Sequence, residues 1–227
     1  MRMHGLISVF IKFKYMIMKT LRYIILGVML ITTIFVCNSQ TPGMTKQVIT
    51  LKSVPENVPG KLLTESKEVL TRRLGFMGLR DVQITQNNAK SELVVTVGDT
   101  ISKAMLSEIL LVQGNVSFKA DSILVLNKEN LLEAHADFSE PKFPTLCITF
   151  KENKWRVWEN MTARNMNKPV AFVVDDKVYA APILKEKISH GKISLTGSGF
   201  SMTEVRKLVA VISSGPVPLK FTIVSKN

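Results

Sequence analysis

From residue 47 onward the apolar positions change their spacing repeatedly, from every second residue to every third or fourth and back. That is the mark of strands and helices alternating in a mixed fold. Residues 47–53 read as a strand between turn-rich flanks that hold Pro42, Gly43, Pro55, Pro59 and Gly60. Over residues 61–77, Leu63, Leu70, Leu74 and Met77 fall on one helical face, and Gly75 and Gly78 weaken its end. Strands at 82–85 and 93–97 follow, separated by the polar, turn-forming stretch 86–91. Ile101, Met105, Ile109 and Val112 define a second helix face closed by Gly114, and residues 115–119 return as a strand. The order is strand, helix, strand, strand, helix, strand.

The second half repeats that order in different letters. Residues 145–150 alternate with Leu146, Ile148 and Phe150 on one side. A helix over 152–166 aligns Trp155, Trp158, Met161, Thr162 and Asn165. Residues 169–174 form a strand that turns at Asp175-Asp176 into a second strand at 178–181, and 192–195 add a short one. The last helix opens with a capping box, Ser201 and Glu204, buries Val205, Leu208, Val209 and Ile212, and stops at Gly215-Pro216 before a closing strand at 219–224. The fold class predicted is α+β: two ferredoxin-like βαββαβ subdomains, residues 41–119 and 145–227, each with helices over one sheet face. Residues 120–144 are read as the connecting segment, with a short helical piece near 130–134.

Residues 1–40 are of another kind. Arg2, Lys12, Lys14, Lys19 and Arg22 precede 14 uncharged, mostly apolar residues, 23–36, followed by Cys37. That run is short of the about 20 residues a membrane span requires and matches the apolar region of an export signal. Three outcomes stay open: lipidation of Cys37 as in a bacterial lipoprotein, ordinary cleavage near Ser39, or an uncleaved anchor. Met18 opens MKTLRY, a more typical start than Met1. Each outcome places the rest of the chain in an exported compartment.

Composition narrows the chemistry. With 46% hydrophobic and 21% charged residues the chain is ordinary globular material. The net charge of +12 is partly a property of the N-terminal segment, since the residues after 40 hold 25 basic against 18 acidic. No arginine-rich, aromatic-interleaved surface motif is present, so nucleic acid is not the expected partner. The three His and two Cys are scattered, which argues against a zinc site or a disulfide framework, and no cofactor is expected.

The individual candidates read as structure. Asp175 and Asp176 are adjacent carboxylates, but neighbours on a turn point different ways, so a hairpin turn is favoured over acid–base chemistry. Gly191, Gly197 and Gly199 with Lys192 fit no phosphate-loop pattern. Ser189-His190 lacks a nucleophile elbow, and Cys147 alternates within a strand as a small buried hydrophobe. Trp155 and Trp158 are better explained by packing than by an exposed peptide-binding edge. The expectation is a non-enzymatic protein.

The run from Thr162 to Pro218 carries a specific order of residues: Thr162, Asn165, Lys168, Ala171, Asp175, Val178, Ala181, Pro182, Ile188, Gly191, Thr196, Gly197, Gly215 and Pro218. It resembles the first periplasmic domain, including the head subdomain, of the SecD/SecDF family of membrane proteins that assist Sec-dependent export. That family's pattern is T-x-x-N-x-G-K-x-x-A-I-V-x-D-G-x-V-x-S-A-P, then I-x-x-G-x-x-x-I-T-G. Here Asn167 and Asp176 stand where the family has Gly, and Ala180 where it has Ser; Asn and Asp tolerate left-handed turn geometry, so the hairpin survives. The resemblance implies contact with unfolded or translocating polypeptide or with Sec membrane subunits, and a head that moves on a base, with 120–144 as candidate hinge. Ala181, Pro182, Ile183, Ile188 and Phe200 are the partner-binding residues this suggests. After residue 36 no apolar run supplies the membrane helices that drive the family's motor, so binding is expected rather than proton-driven work. The alternative is a structural envelope lipoprotein with a protein or peptidoglycan partner unrelated to secretion.

Overall fold

The computed structural model describes residues 46–224 apart from 99, 100, 122 and 198. The signal or anchor segment and Cys37 lie outside the described residues. Residues 45–227 fall into one compact unit.

Its first sheet has the order β11-β1-β3-β2, all neighbours antiparallel. The strands are β1 (Gln47–Val54), β2 (Gln83–Asn87), β3 (Glu92–Val97) and β11 (Lys220–Val224). Alternation makes them strands: Ile49, Leu51, Leu93, Val95 and Val97 are buried while their neighbours are half or fully exposed. Helix α1 (Gly60–Phe76) buries Leu63, Val69, Leu70 and Leu74 in the same core. Helix α2 (Lys103–Leu111) adds Leu106, Ile109 and Leu110, its start capped by Ser102, whose hydroxyl accepts from the Met105 N–H at 3.3 Å. These elements form the base.

The remaining strands make two further sheets, which with two helices form the head. One has the order β5-β4-β8-β9, from β4 (Val116–Ala120), β5 (Ile123–Asn127), β8 (Val170–Val174) and β9 (Lys177–Ala180); the other has the order β10-β7-β6, from β6 (Leu131–Asp137), β7 (Thr145–Phe150) and β10 (Lys192–Leu195). Helices α3 (Trp155–Arg164) and α4 (Met202–Ser214) pack into the core between them. Four aromatic residues form its centre. Trp158 lies 4.6 Å, centroid to centroid, from Phe150 and 5.4 Å from Phe118, which in turn lies 5.3 Å from Phe172.

The α+β class holds, but the strands group differently from one βαββαβ unit per half. Residues 115–119 do not close the first sheet. They belong to β4 and pair with β5 and β8, because Val116, Phe118 and Ala120 point onto the aromatic core. The fourth place beside β1 goes to β11, from the far end of the chain. Residues 120–144 are not a connector with a helical piece at 130–134: they contain β5 and β6, joined by a single 3-10 turn, Lys128–Asn130. Asn127 and Asn130 hold that turn reciprocally, the Asn127 side chain accepting from Glu129 N–H and the Asn130 side chain from Asn127 N–H. Beyond it Ala134 and Ala136 alternate inward at strand period.

Gly191 shows why one glycine of the loop before β10 is needed. Its φ is 60°, and a Cβ there would lie 2.0 Å from Cδ1 of Trp155. The Trp155 indole donates to the Phe150 carbonyl at 2.9 Å, and Phe150 N–H donates to the Gly191 carbonyl at 2.7 Å. Gly191→Ala is expected to cost about 2–3 kcal/mol in denaturant unfolding, roughly 1–2 from the left-handed backbone and about 1 from the displaced Trp155 bond. A loss below about 0.5 kcal/mol would show that Trp155 moves aside freely.

Candidate functional site

The sheet β5-β4-β8-β9 buries one face and leaves the other open. Val116, Phe118, Val170 and Phe172 point into the core. The alternate residues of these strands line the opposite face: Lys119 stands opposite Leu124 on one side and Ala171 on the other, and Val173 pairs with both Ser117 and Val178. Leu124 and Val178 are each 56% exposed and Ala171 is half-buried, whereas Val173 between them is buried. An apolar strip on an uncovered sheet face marks a place where something else docks.

Two hollows run across this face and a third adjoins its end. The first, about 590 Å³, reaches from Asn115, Asp175 and Pro216 to Lys119 and Leu124. The second, about 490 Å³, shares Lys119 and continues over Ala171, Val173 and Val178 to Ala181. The third, about 270 Å³, shares Ala181 and ends between Tyr179, Pro182, Thr196 and Phe200. Lys119 joins the first two into one groove on the open face, and Ala181 at its end adjoins the third, where Tyr179 and Phe200 turn toward the head core. Its edge is β9, the last strand of the sheet, beyond which no strand lies among the described residues. Such an edge presents main-chain donors and acceptors to an incoming extended chain.

The groove's lining is mixed in charge, with Lys119 and Lys128 beside Asp121, Glu129, Asp175 and Asp176. Lys128 lines the first hollow, where burial and then the nearby Lys151 lower its ammonium below the ordinary lysine value. The ring of Tyr179 lies 4.6 Å from Lys177 Nζ, and burial pushes its hydroxyl up. The ion pair Lys168–Asp121, 3.0 Å, is exposed on both sides and contributes little to stability.

Of the residues singled out from sequence, Ala181, Pro182 and Phe200 come together at the far end of the groove. Phe200 is 6% exposed and is mostly core, so only its rim faces the hollow. Ile183 stands apart, 55% exposed, in an isolated antiparallel bridge with Pro169. Ile188 packs against the head core, its N–H donating to the Thr162 hydroxyl at 3.0 Å, and does not join the group. Asp175 and Asp176 form the turn between β8 and β9 and diverge: Asp176 lines the second hollow, whereas Asp175 turns toward residues 113–115 and accepts their N–H groups. No group of three or more His, Cys, Asp or Glu positioned for a metal occurs among the described residues.

Sequence reasoning passed over Arg73. It lies three residues after Leu70 and four before Met77, on the apolar face of α1, and that placement was the available signal. It is fully buried. Burial is the main cause that lowers its guanidinium to about 10, with Asp175 opposing, so it stays charged at neutral pH.

A two-part α+β body with an open head sheet is thus what the chain builds, and comparison with known proteins gives it a family. The family described as "SecDF, P1 head subdomain" matches residues 103–219, just over half of the sequence. The chain belongs to that family. It is 26% identical over 187 residues to the protein translocase subunit SecD of Acidaminococcus fermentans, covering 82% of this chain and 44% of that protein. It is 36% identical over 104 residues to SecD of Calditerrivibrio nitroreducens, 45% of this chain and 20% of that one. In fold it is similar to a crystal structure of SecDF in a super-membrane-facing form, with a TM-score of 0.64 at 20% identity over 90% of this chain and 34% of that chain. A structure of SecDF, a membrane component that enhances protein export, gives 0.61 at 20% identity over 80% of this chain and 99% of that chain. The chain spans less than half the length of the curated relatives named. No helix of the described residues is long and apolar enough to cross a membrane.

Proposed function

We propose that this protein is a non-catalytic, exported binding module of the bacterial envelope that assists protein translocation, holding extended polypeptide, or docking on a Sec membrane subunit, along the groove of the head sheet. The observation that supports this is the pair of exposed apolar side chains Leu124 and Val178, with half-buried Ala171 between them, beside the free edge of β9. An extended chain satisfies both chemistries at once: its backbone pairs with the edge and its alternate side chains fill the hollows. The Asp175 carboxylate in its wall is taken up by three main-chain N–H groups and not poised for proton transfer, which favours binding over turnover. Residues 1–40 supply the export signal or membrane attachment in this reading.

The test is photocrosslinking with benzoylphenylalanine placed at Val178, Ala181 or, on the polar outer face of the other head sheet, Ser194, using a permanently unfolded carboxymethylated protein as probe. Crosslinks at 178 and 181 with little at 194 are expected, and Val178→Asp is expected to weaken binding about tenfold. Equal crosslinking at all three positions, or none, overturns the reading. The same photoprobes in intact cells distinguish partners: Sec subunits or nascent exported chains support an export role, and a different stable envelope partner at the groove rejects it.

A further inference from the structure

Two segments connect base and head, residues 112–115 leaving α2 and residues 215–219 leaving α4. They run side by side, Val217 N–H donating to the Gln113 carbonyl at 2.8 Å. Arg73 grips both from the base. Its Nε donates to the Ser214 hydroxyl at 3.1 Å, one terminal nitrogen to the carbonyls of Ile109 at 3.3 Å and Val112, and the other to those of Gln113 and Gly215, each at 3.0 Å. Every N–H of the guanidinium is thereby used. The C-terminal ends of α2 and α4 converge on this one cation, which suits the negative pole of each helix.

Asp175 grips the first crossing from the head. Its carboxylate accepts from the N–H groups of Gln113 at 3.0 Å, Gly114 at 3.0 Å and Asn115 at 2.9 Å, and its own N–H donates to the Asn115 carbonyl at 2.8 Å. The residue is held at a φ of 53° to do so. Gly114 passes between the two charged groups with a φ of 94°, where a Cβ would lie 2.9 Å from Arg73. A further tie lies alongside: buried Lys207 of α4 bonds Glu108 of α2 at 2.6 Å and Glu204 at 2.8 Å. Asn115, Asp175 and Pro216, the groups that are gripped or grip, are also the near wall of the groove.

We propose that Arg73 and Asp175 are positioning residues, a two-sided clasp on the crossings that holds base and head in one orientation and thereby sets the shape of the groove's near end. The second half of this statement rests on the groove being the polypeptide site; the first half does not. The clasp uses complementary halves, carbonyls for Arg73 and N–H groups for Asp175, so neither residue substitutes for the other.

The test measures distance and binding separately in the full chain carrying Cys37→Ser and Cys147→Ser. Spin labels at Glu68→Cys on α1 and Lys192→Cys on β10, both exposed positions, report base-to-head distance by pulsed electron resonance. A single narrow distribution is expected for the parent. Arg73→Lys, which keeps the charge but loses the fork, and Asp175→Asn, which keeps the shape but weakens acceptance, are each expected to broaden it about twofold or more. Glu159→Gln, which weakens the surface pair with Lys187 and the neighbouring Ser189 hydrogen bond, both within the head, serves as control and is expected to leave the width unchanged. A parent distribution already broad, or variants as narrow as the parent, overturns the clasp. Should Arg73→Lys fail to fold, Asp175→Asn decides alone. For the groove, unfolded-probe crosslinking at Leu124 is expected to fall about threefold or more in Asp175→Asn while that at Ala181 persists. Unchanged crosslinking at Leu124 despite a broadened distance overturns the coupling to the groove. No crosslinking in the parent overturns the binding reading and leaves the distance result to decide the clasp.

Discussion

Trp158→Ala is expected to destabilise the protein by about 3–5 kcal/mol, a fall in melting temperature of roughly 6–20 °C for a unit of this size. Trp158 is completely buried on the inner face of α3 and meets Phe150 at 4.6 Å and Phe118 at 5.4 Å. Those partners come from β7 and β4, which lie in different sheets, so this ring bridges the two sheets of the head beside the direct Phe118–Phe150 contact of 5.2 Å. An alanine leaves a cavity bounded by aromatic rings, and rings on two separate sheets collapse into it only partly. The companion variant is informative. The Trp158 indole N–H is buried without a partner, so Trp158→Phe removes an unsatisfied donor while keeping most of the contact, and its cost is expected to be about 1 kcal/mol or less. Denaturant unfolding followed by circular dichroism measures both. Near-equal losses for the two variants would mean that ring packing does not dominate the core.

Much of this arrangement was legible in the sequence, and for identifiable reasons. Local physics set the elements: alternation marks β1, β3, β7 and β8, and the Ser201 cap, whose hydroxyl accepts from Glu204 N–H at 3.1 Å, starts α4. Several positions that carried the family resemblance are local devices as well. Asn167, standing in place of a glycine, takes a φ of 62°; Gly215 ends α4 at a φ of 83°; the Thr162 hydroxyl bonds both Glu159 O and Ile188 N–H. What was not legible is non-local. Nothing in residues 115–119 says which sheet they join, because a half-buried strand fits any core that needs one, and the choice was made by Phe118 meeting Phe150, Trp158 and Phe172. Likewise β11 reaches β1 across the whole of the head. The site shows the same division. Ala181, Pro182 and Phe200 were visible as a loop and a strand end, but the open face they adjoin depends on which strands pair. The clasp was hidden for a different reason: Asp175 read as half of a turn dipeptide and Arg73 drew no reading at all, and only the crossings between them give either one a role.

Arg73→Met is the second large effect, about 3–5 kcal/mol of lost stability. The guanidinium is buried at a cost, which is why its pKa is lowered to about 10, yet it returns that cost by bonding four carbonyls and the Ser214 hydroxyl. Methionine of similar length fills the space and removes the charge but donates nothing. The carbonyls of Ile109, Val112, Gln113 and Gly215 then lie inside without these donors, and Asp175 loses the attraction of the Arg73 charge. The balance of a removed desolvation cost against several unmade bonds favours the loss. Its pH dependence has a definite sign. The folded value of about 10 lies below the ordinary arginine value, so between the two the unfolded chain holds more protons, and the Arg73 contribution to stability rises with pH there. Below about pH 9 the group is charged in both states and its contribution is flat. Unfolding free energies of parent and variant measured from pH 6 to 8.5 are therefore expected to differ by a constant amount. A gap that widens as pH rises through this interval would show that the buried guanidinium loses its proton in the folded protein well below pH 9, and a gap below about 1 kcal/mol throughout would show that water reaches the carbonyls and replaces the arginine.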